Sequence, residues 1–244
     1  MTHVSPAARL FALAVAVLLL APLSLLAQGD KSPKPRVAAP IASLAADKGK
    51  FRILLDGQPV GSEEFEISQS GREWQAHAIT QITAPGGASS QVKGTLRLAA
   101  DGTPLRYEWS TQVEKKASAV VTFQNGVASA TLTLQNSQPF EQQFTFETPR
   151  IVILDNNLYH HYAILAHLYD WSARGTQTFP VLIPQEMTPG SITVESLGAQ
   201  SVEGKTLDLL RVRTSDLEID LYLDSTRRLV QIVVPSSKAL ILRE

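Results

Sequence analysis

The residues best suited to chemistry lie in one segment, Asp155–Gly175, which holds three of the five histidines. These are His160, His161 and His167. His160 and His167 would share one face of a helix but be separated by about 10 Å of helical rise. One metal ion, with metal–nitrogen distances of about 2 Å, cannot bind both. We therefore predict no metal site and no cofactor, and we expect ordinary surface or partly buried histidines.

An exported hydrolase is an alternative, in which His77, His160 or His167 would act with a carboxylate. The sequence contains no G-x-S-x-G elbow, no H-E-x-x-H zinc motif and no calcium-binding loop. No motif therefore identifies a nucleophile, and we predict no catalytic residues.

A cluster of carboxylates on an early predicted strand is the other candidate for acid–base chemistry. It comprises Glu63, Glu64 and Glu66. Glu64 and Glu66 share one face of the strand, and exposed glutamates on strands are usually solvated. We expect them to be solvent-facing rather than catalytic.

Ala199–Thr206 matches a permissive phosphate-loop pattern. That chemistry needs a helix N-terminus directly after the loop, whereas Leu207–Arg213 alternates like a strand. Glu203 would also bring negative charge to the phosphates. We predict a hairpin turn here and no ATP binding.

The N-terminus has the pattern of an export signal: a short basic region, the apolar run Leu10–Leu20, and a break at Pro22. We predict a signal peptide over residues 1–27, cleaved before Gln28, and a mature protein in the periplasm or secreted. The alternative is an uncleaved signal that anchors the chain in the membrane. The chain has no cysteine, so thiol chemistry and disulfides are excluded.

Residues 28–47 are rich in proline and alanine and lack hydrophobic periodicity, which predicts a flexible tether. Residues 48–244 have the length of a single domain. The formal net charge of −1 gives no indication of nucleic-acid binding.

Three short turns allow strand register to be predicted from facing residues: Asn125-Gly126, Asp101-Gly102 and Thr214-Ser215. The first turn places Val121 and Phe123 on one face with Ala128, Ala130 and Leu132. The second turn predicts the pairs Leu98–Leu105, Leu96–Tyr107 and Gly94–Trp109. The third turn predicts the pairs Arg213–Asp216 and Arg211–Glu218. The charged pairs favour an ion-pair ladder on a solvated face over a functional groove.

Further segments alternate in the same way: Phe51–Leu55, Val60–Ile67, Glu73–Ile82, Phe140–Glu147, Gln177–Ile183, Ser191–Leu197, Leu229–Val234 and Ala239–Leu242. Short strands joined by tight turns predict a mainly β fold, an antiparallel meander forming a curved open sheet or half-barrel.

One amphipathic helix, at about 156–173, is expected to pack on or over this sheet. Asp155 or Asn156 would cap its start, and Gly175 would take the left-handed position after its end. An apolar and aromatic stripe would face the sheet, formed by Leu158, Tyr162, Leu165 and Tyr169 with Leu168 and Trp171 beside it.

Two stretches carry a family resemblance: the opening hairpin Phe51–Gly61 and the late hairpin Leu221–Val230, which leads to Pro235. Together they resemble bacterial families of exported β-rich proteins with domains of unknown function. The resemblance covers about Phe51–Glu244 and implies a fold distantly similar to the half-barrel carriers of lipoproteins and lipids. It implies no catalytic residues.

We therefore expect an exported, envelope-associated binding or structural module with no enzymatic activity, either holding a lipid or other apolar ligand between helix and concave sheet or contacting an envelope protein. The predicted lining residues are Leu96, Tyr107, Trp109, Tyr162, Tyr169 and Trp171. Alternatively, these side chains form a plain core. An outer-membrane β-barrel is the third alternative, which the Arg243-Glu244 ending and the 7% aromatic content disfavour.

Overall fold

The computed structural model describes residues 44–83, 87–112 and 116–244. It confirms the predicted fold class, a mainly β domain in which one helix packs on a single curved sheet. The predicted signal peptide and most of the predicted tether lie outside the described residues. In the described ranges, no helix combines the length and the apolar character needed to cross a bilayer.

Fifteen strands are present in the described ranges, together with the helix α1 (His160–Leu168). They are β1 (Asp47–Leu55), β2 (Gln58–Ser70), β3 (Glu73–Thr83), β4 (Ser89–Ala99), β5 (Pro104–Gln112), β6 (Ala117–Gln124), β7 (Val127–Leu134), β8 (Phe140–Thr145), β9 (Val152–Ile153), β10 (Thr176–Ile183), β11 (Thr188–Val202), β12 (Lys205–Arg213), β13 (Glu218–Leu223), β14 (Leu229–Val234) and β15 (Ala239–Arg243).

The strands form one sheet in the order β8-β7-β6-β5-β4-β3-β2-β1-β15-β14-β13-β12-β11-β10-β9. Strands that follow one another in the chain pair antiparallel, as the meander prediction requires, with two exceptions: β9 and β10 pair in parallel, and β8 and β9 lie at opposite edges of the sheet. The sheet curls until the 3₁₀ turn Pro184–Glu186, which follows β10, reaches β6. The part of the sheet that carries β9 and β10 therefore approaches β6, and the inner face encloses the core.

The seam between β1 and β15 joins the two halves of the meander. Phe51 faces Arg243 across it, and the Arg243 guanidinium holds the Asp47 carboxylate through two hydrogen bonds of 2.6 and 2.8 Å, between residues 196 positions apart. Leu44 is buried in the same core. Strand β1 thus already includes Asp47, the last residue of the predicted tether, which pairs with Ile67 in the sheet.

The first predicted hairpin register holds up to the turn, and the second holds away from its turn. Asn125-Gly126 has the positive φ angles of a tight hairpin turn, 52° and 81°, and Val121 faces Ala130 as expected. In the second hairpin Leu96 faces Tyr107 and Gly94 faces Trp109. The predicted Leu98–Leu105 pair is wrong, because a bulge after Arg97 places Leu98 opposite Pro104.

The third hairpin is shifted by two residues. Its loop spans 214–217, so that Arg213 faces Glu218 and Arg211 faces Asp220, and the predicted facing pairs with Asp216 and Glu218 are wrong. A shift of two preserves the faces of both strands. The ion-pair ladder is therefore present, with facing pairs at 2.7 Å for Arg211–Asp220 and 3.1 Å for Arg213–Glu218. The predicted ion pair of Arg211 with Glu218 also forms, as a diagonal contact of 3.3 Å.

The phosphate-loop pattern at Ala199–Thr206 is a hairpin turn, as predicted. Glu203 and Gly204 adopt positive φ angles, Val202 pairs with Lys205, and β12 begins there instead of a helix.

The helix is shorter than the predicted span of 156–173. Asn157 has a φ of 60°, which is incompatible with a right-handed helix, and Tyr169 is already extended with a ψ of 129°. The segment 170–173 is a separate turn, in which Asp170 Oδ1 accepts hydrogen bonds from the backbone N–H groups of Ser172 and Ala173. Gly175 therefore follows this turn and not the helix.

The helix is buried on most of its circumference. His160, His161, Ala163, Ile164, Leu165 and Ala166 are all buried. A helix buried on so many sides lies inside the curved sheet rather than over one face of it. Because the helix is buried on several sides, the single apolar and aromatic stripe predicted from sequence accounts for only part of its packing.

Gly94 on β4 is where the segment before the helix comes closest to the sheet. A Cβ placed on Gly94 would lie 2.6 Å from Leu158 Cδ1, and Leu158 is itself 1% exposed. Leu158 thus fills the space above the glycine.

We predict that Gly94→Ala lowers the free energy of unfolding by about 1–3 kcal/mol, because the added methyl group overpacks against Leu158. Chemical denaturation measures this. Gly190→Ala is the matched control, since its Cβ would meet only Val181 Cγ2 at 3.8 Å. In a Leu158→Ala background the cost of Gly94→Ala should nearly vanish, and full additivity would contradict the contact.

Candidate functional site

A buried carboxylate from the sheet caps the helix. Glu63 lies on the inner face of β2, with Phe65 and Ile67 on the same face, and is fully buried. Its Oε2 accepts the backbone N–H of Tyr159 at 2.5 Å and its Oε1 accepts that of His160 at 2.9 Å. The helix has no side-chain cap from its own segment, so the predicted caps Asp155 and Asn156 are wrong and Glu63 takes that role.

Glu63 also contacts the imidazole of His160, with 2.7 Å between Oε1 and Nδ1. Burial raises the pKa of Glu63 to about 8, against the opposing effect of the backbone hydrogen bonds from His160 and Tyr159. Burial, with a smaller contribution from the charge of His77, lowers the pKa of His160 to about 3. The pair is therefore neutral near pH 7 and shares one proton between Oε1 and Nδ1.

A second buried carboxylate, Asp155, ties the segment before the helix to two other elements. Its Oδ2 accepts the Tyr107 hydroxyl of β5 at 2.6 Å, and its Oδ1 accepts the backbone N–H of Gln185 in the 3₁₀ turn at 2.9 Å. Burial raises the pKa of Asp155 to about 6, although the hydrogen bonds from Tyr107 and Gln185 oppose that rise. Asp155 thus links helix, sheet and turn.

The two adjacent histidines are buried, which corrects the expectation of surface or partly buried side chains. His160 and His161 are both 0% exposed, and their ring centroids are 4.4 Å apart. His161 Nδ1 accepts the backbone N–H of Asp155 at 3.2 Å, and burial lowers the pKa of the His161 imidazole. His167 lies half-buried in the last turn of the helix.

This cluster resembles an acid–histidine dyad but lacks a nucleophile. Nε2 of His160 and Nε2 of His161 have no hydrogen-bond partner in the described ranges, so neither imidazole contacts a hydroxyl. His77 lies exposed on the outer face of β3. Within the described residues, neither His160 nor His161 is therefore placed between a nucleophile and an acid. No group of three His, Asp or Glu residues within the described residues is arranged to hold a metal ion.

An open cleft of about 400 Å³ lies where the chain leaves the helix. Its lining residues come from the turn after α1, from β11, from β12 and from the β13–β14 turn: Trp171, Arg174, Ser196, Gly198, Ala199, Asp208 and Arg227.

Trp171 forms one wall of this cleft and is itself held by three contacts. Its indole N–H donates to the Ala166 carbonyl at 3.0 Å, and the Tyr169 ring meets it edge-on at 5.1 Å between centroids. The Arg227 guanidinium lies over the indole, 4.5 Å from the ring centroid. Indole and guanidinium therefore form one stacked unit at the rim.

The predicted lining residues fall into two groups. Leu96, Tyr107 and Trp109 point into the filled interior and are at most 5% exposed. Tyr162 and Trp171 are half-buried, while Tyr169 is buried beside Trp171 and donates its hydroxyl to the Gly175 carbonyl at 2.7 Å. Within this set, Trp171 alone lines the cleft.

Sequence reasoning missed Glu63 although a signal was present. Strand alternation places Glu63 on the same face as Phe65 and Ile67, which is the apolar face. Glu64 and Glu66 lie on the opposite face and pair there with Lys50 and Lys48 in the order given, as expected of solvated glutamates. That Arg174 and Arg227 line one cleft could not be read from the sequence, because they come from turns that are far apart in the chain.

Comparison with known proteins supports the fold and leaves the family open. No protein-family model matches the chain, and no curated protein matches it. Among solved structures, the chain is similar to a beta-barrel-like protein of the domain of unknown function DUF1849 from Brucella abortus. The TM-score is 0.56 at 9% sequence identity, over 82% of this chain and 95% of that chain. Similarity at this identity shows the fold alone.

We predict that Glu63 makes stability fall as pH rises from 6.5 to 8. The folded state keeps the Glu63 proton up to a pKa of about 8, whereas the unfolded chain releases it near 4.5, so this contribution is lost as pH rises through 8. Asp155, with a pKa of about 6, and His160, whose unfolded value is 6.5, act mainly below this window. We expect the free energy of unfolding to fall by about 2 kcal/mol between pH 6.5 and pH 8, as measured by denaturant titration at each pH.

Glu63→Gln should remove this slope, because the amide keeps an acceptor for the helix N–H groups and has no proton to lose. Glu64→Gln, on the outer face of the same strand, is the control and should keep the wild-type slope. A Glu63→Gln protein with an unchanged slope would contradict the assignment.

Proposed function

We propose that this protein is an exported, non-catalytic binding module of the cell envelope, and that its ligand binds in the cleft beside Trp171. The observation that carries this proposal is a cleft lined by an aromatic ring and three charged side chains, next to a domain interior that is already full. Small-molecule sites commonly combine these features with a volume of roughly 300–1,000 Å³.

The filled interior is the reason for choosing the cleft over the space between helix and concave sheet. Leu158 and Leu165 from the helical segment pack with Leu96 and Tyr107 from the sheet, and all four are at most 1% exposed. An apolar ligand bound there would have to displace these contacts. The cleft needs no such rearrangement, and Trp171, packed edge-on against Tyr169, gives it an aromatic wall.

A binding role also agrees with the chemistry of the buried cluster. Glu63, His160 and Asp155 hold the helix in place, and all three are buried, with at most 6% of each residue exposed to a substrate. A catalytic role would require a reacting group in contact with them.

Export is the second part of the proposal, supported by the apolar run Leu10–Leu20 behind a short basic region. We expect the mature protein, recovered from the periplasmic fraction of a bacterial host, to begin at Gln28 by N-terminal sequencing. A protein that stays in the cytoplasm with residues 1–27 attached would contradict this. A membrane-bound protein with an intact N-terminus would identify the uncleaved anchor instead.

The ligand proposal is tested by native mass spectrometry of the protein purified from the envelope fraction, followed by extraction and identification of any bound molecule. We expect a bound species that is lost in Ala199→Trp, because the indole would fill the cleft. Gln81→Trp, on the exposed outer face of β3, is the control and should retain it. Absence of a ligand from wild-type protein, or equal retention in Ala199→Trp, would refute the cleft as the binding site.

A further inference from the structure

The charges of the cleft indicate the chemical class of its ligand. Arg174 and Arg227 are both exposed, and neither forms an ion pair with any residue in the described ranges. Asp208, half-buried in the same cleft, likewise has no cationic partner among those residues. By contrast, Arg211 pairs with Asp220 and Arg213 with Glu195 on the neighbouring strands. The unpaired charges of the cleft are thus left for a ligand.

We propose that the cleft binds a phosphorylated polyol, with its phosphate between Arg174 and Arg227 and its hydroxyl groups on Asp208. This inference rests on the proposed function, because it names the ligand class of the same cleft.

Arg227 is positioned before a ligand arrives. Its guanidinium stacks on Trp171 at 4.5 Å, and Trp171 is fixed in turn by its hydrogen bond to Ala166. Stacking occupies the flat face of the guanidinium and leaves its N–H edge for an anion. An ordered donor loses less side-chain entropy when it binds than a free one does.

Arg174 supplies the second positive charge from a different element. It lies in the turn after the helix, with a φ of 52°, whereas Arg227 lies in the β13–β14 turn with a φ of 63°. A carboxylate is satisfied by the two-pronged contact of one guanidinium. Phosphate has more acceptor oxygens in a tetrahedral arrangement, so it can contact two guanidinium groups at once.

Asp208 determines what surrounds the phosphate. Its carboxylate repels an anion but accepts hydrogen bonds from hydroxyl groups, and Ser196 adds a hydroxyl to the same lining. A cleft of about 400 Å³ is also larger than a bare phosphate requires. A phosphate joined to a hydroxylated carbon chain meets all of these conditions.

Such chemistry occurs in a free polyol phosphate and in a lipid headgroup, and two probes distinguish these sources. Calorimetry with the mature full-length protein measures binding of glycerol 3-phosphate. Sedimentation with vesicles measures binding of phosphatidylglycerol, with phosphatidylcholine vesicles as the comparison. Binding of glycerol 3-phosphate alone identifies a free polyol phosphate, and binding to phosphatidylglycerol vesicles alone identifies a lipid headgroup. Either result supports the proposal.

The doubly substituted Arg174→Gln/Arg227→Gln protein should bind the active probe at least about tenfold more weakly, since it loses two charge-assisted contacts. Arg52→Gln/Arg72→Gln is the matched control: both arginines are exposed, and the change in net charge is the same. Asp208→Ala should remove the preference for glycerol 3-phosphate over inorganic phosphate. The single Arg174→Gln variant keeps the stacked pair intact and guards against loss of folding, which circular dichroism monitors.

Failure of both probes to bind the wild-type protein, or equal binding by the wild-type and doubly substituted proteins, would overturn the proposal. If native mass spectrometry meanwhile finds an uncharged ligand that Ala199→Trp excludes, the cleft remains the binding site and only the ligand class is wrong. If Ala199→Trp has no effect on any bound species, the proposed function fails as well.

Discussion

The structure depends on one hydrogen-bonded contact, the carboxyl group of Glu63 at the N-terminus of the buried helix. A helix inside a curved sheet has backbone N–H groups that water cannot reach, and each unsatisfied group would cost about 1–3 kcal/mol. Glu63 satisfies two of them and the Nδ1 of His160 as well. The pKa of about 8 shows the cost of that arrangement, because the carboxyl group is kept neutral at the pH at which an exposed glutamate is charged.

Fixing the helix inside the sheet also determines where the protein can interact. Asp155 and Tyr107 complete the attachment, so the helix and the sheet behave as one packed body. The concave face, which is the usual place for a ligand in an open curved sheet, is consequently occupied by the protein's own side chains. The binding that we propose is therefore located at the rim, where the chain leaves the helix and Trp171, Arg174 and Arg227 line one cleft.

Most of the sheet could be predicted from sequence, because alternation and turn residues are local signals. The Asn125-Gly126 hairpin and the strand Leu229–Val234 are examples. The bulge after Arg97 and the four-residue loop after Arg213 could not, since they depend on contacts across strands. The helix limits were misjudged because Asn157 and Asp170 form turns that resemble helix ends in sequence. The candidate site could not be predicted, because it depends on contacts between residues distant in sequence. Glu63 and His160, for example, are 97 positions apart.

The pairing of β1 with β15 has a consequence for how the protein reaches this state. Asp47 and Arg243 meet although they are 196 positions apart, so the seam forms only after nearly the whole domain has become available. Folding with such distant pairings is slow, because a long loop must close before its contacts contribute. Until β15 arrives, β1 has one unpaired edge, and such edges pair readily with other chains. If the chain crosses a membrane from its N-terminus, as proposed above, it would carry this exposed edge until β15 arrives and would need protection from pairing with other chains until then.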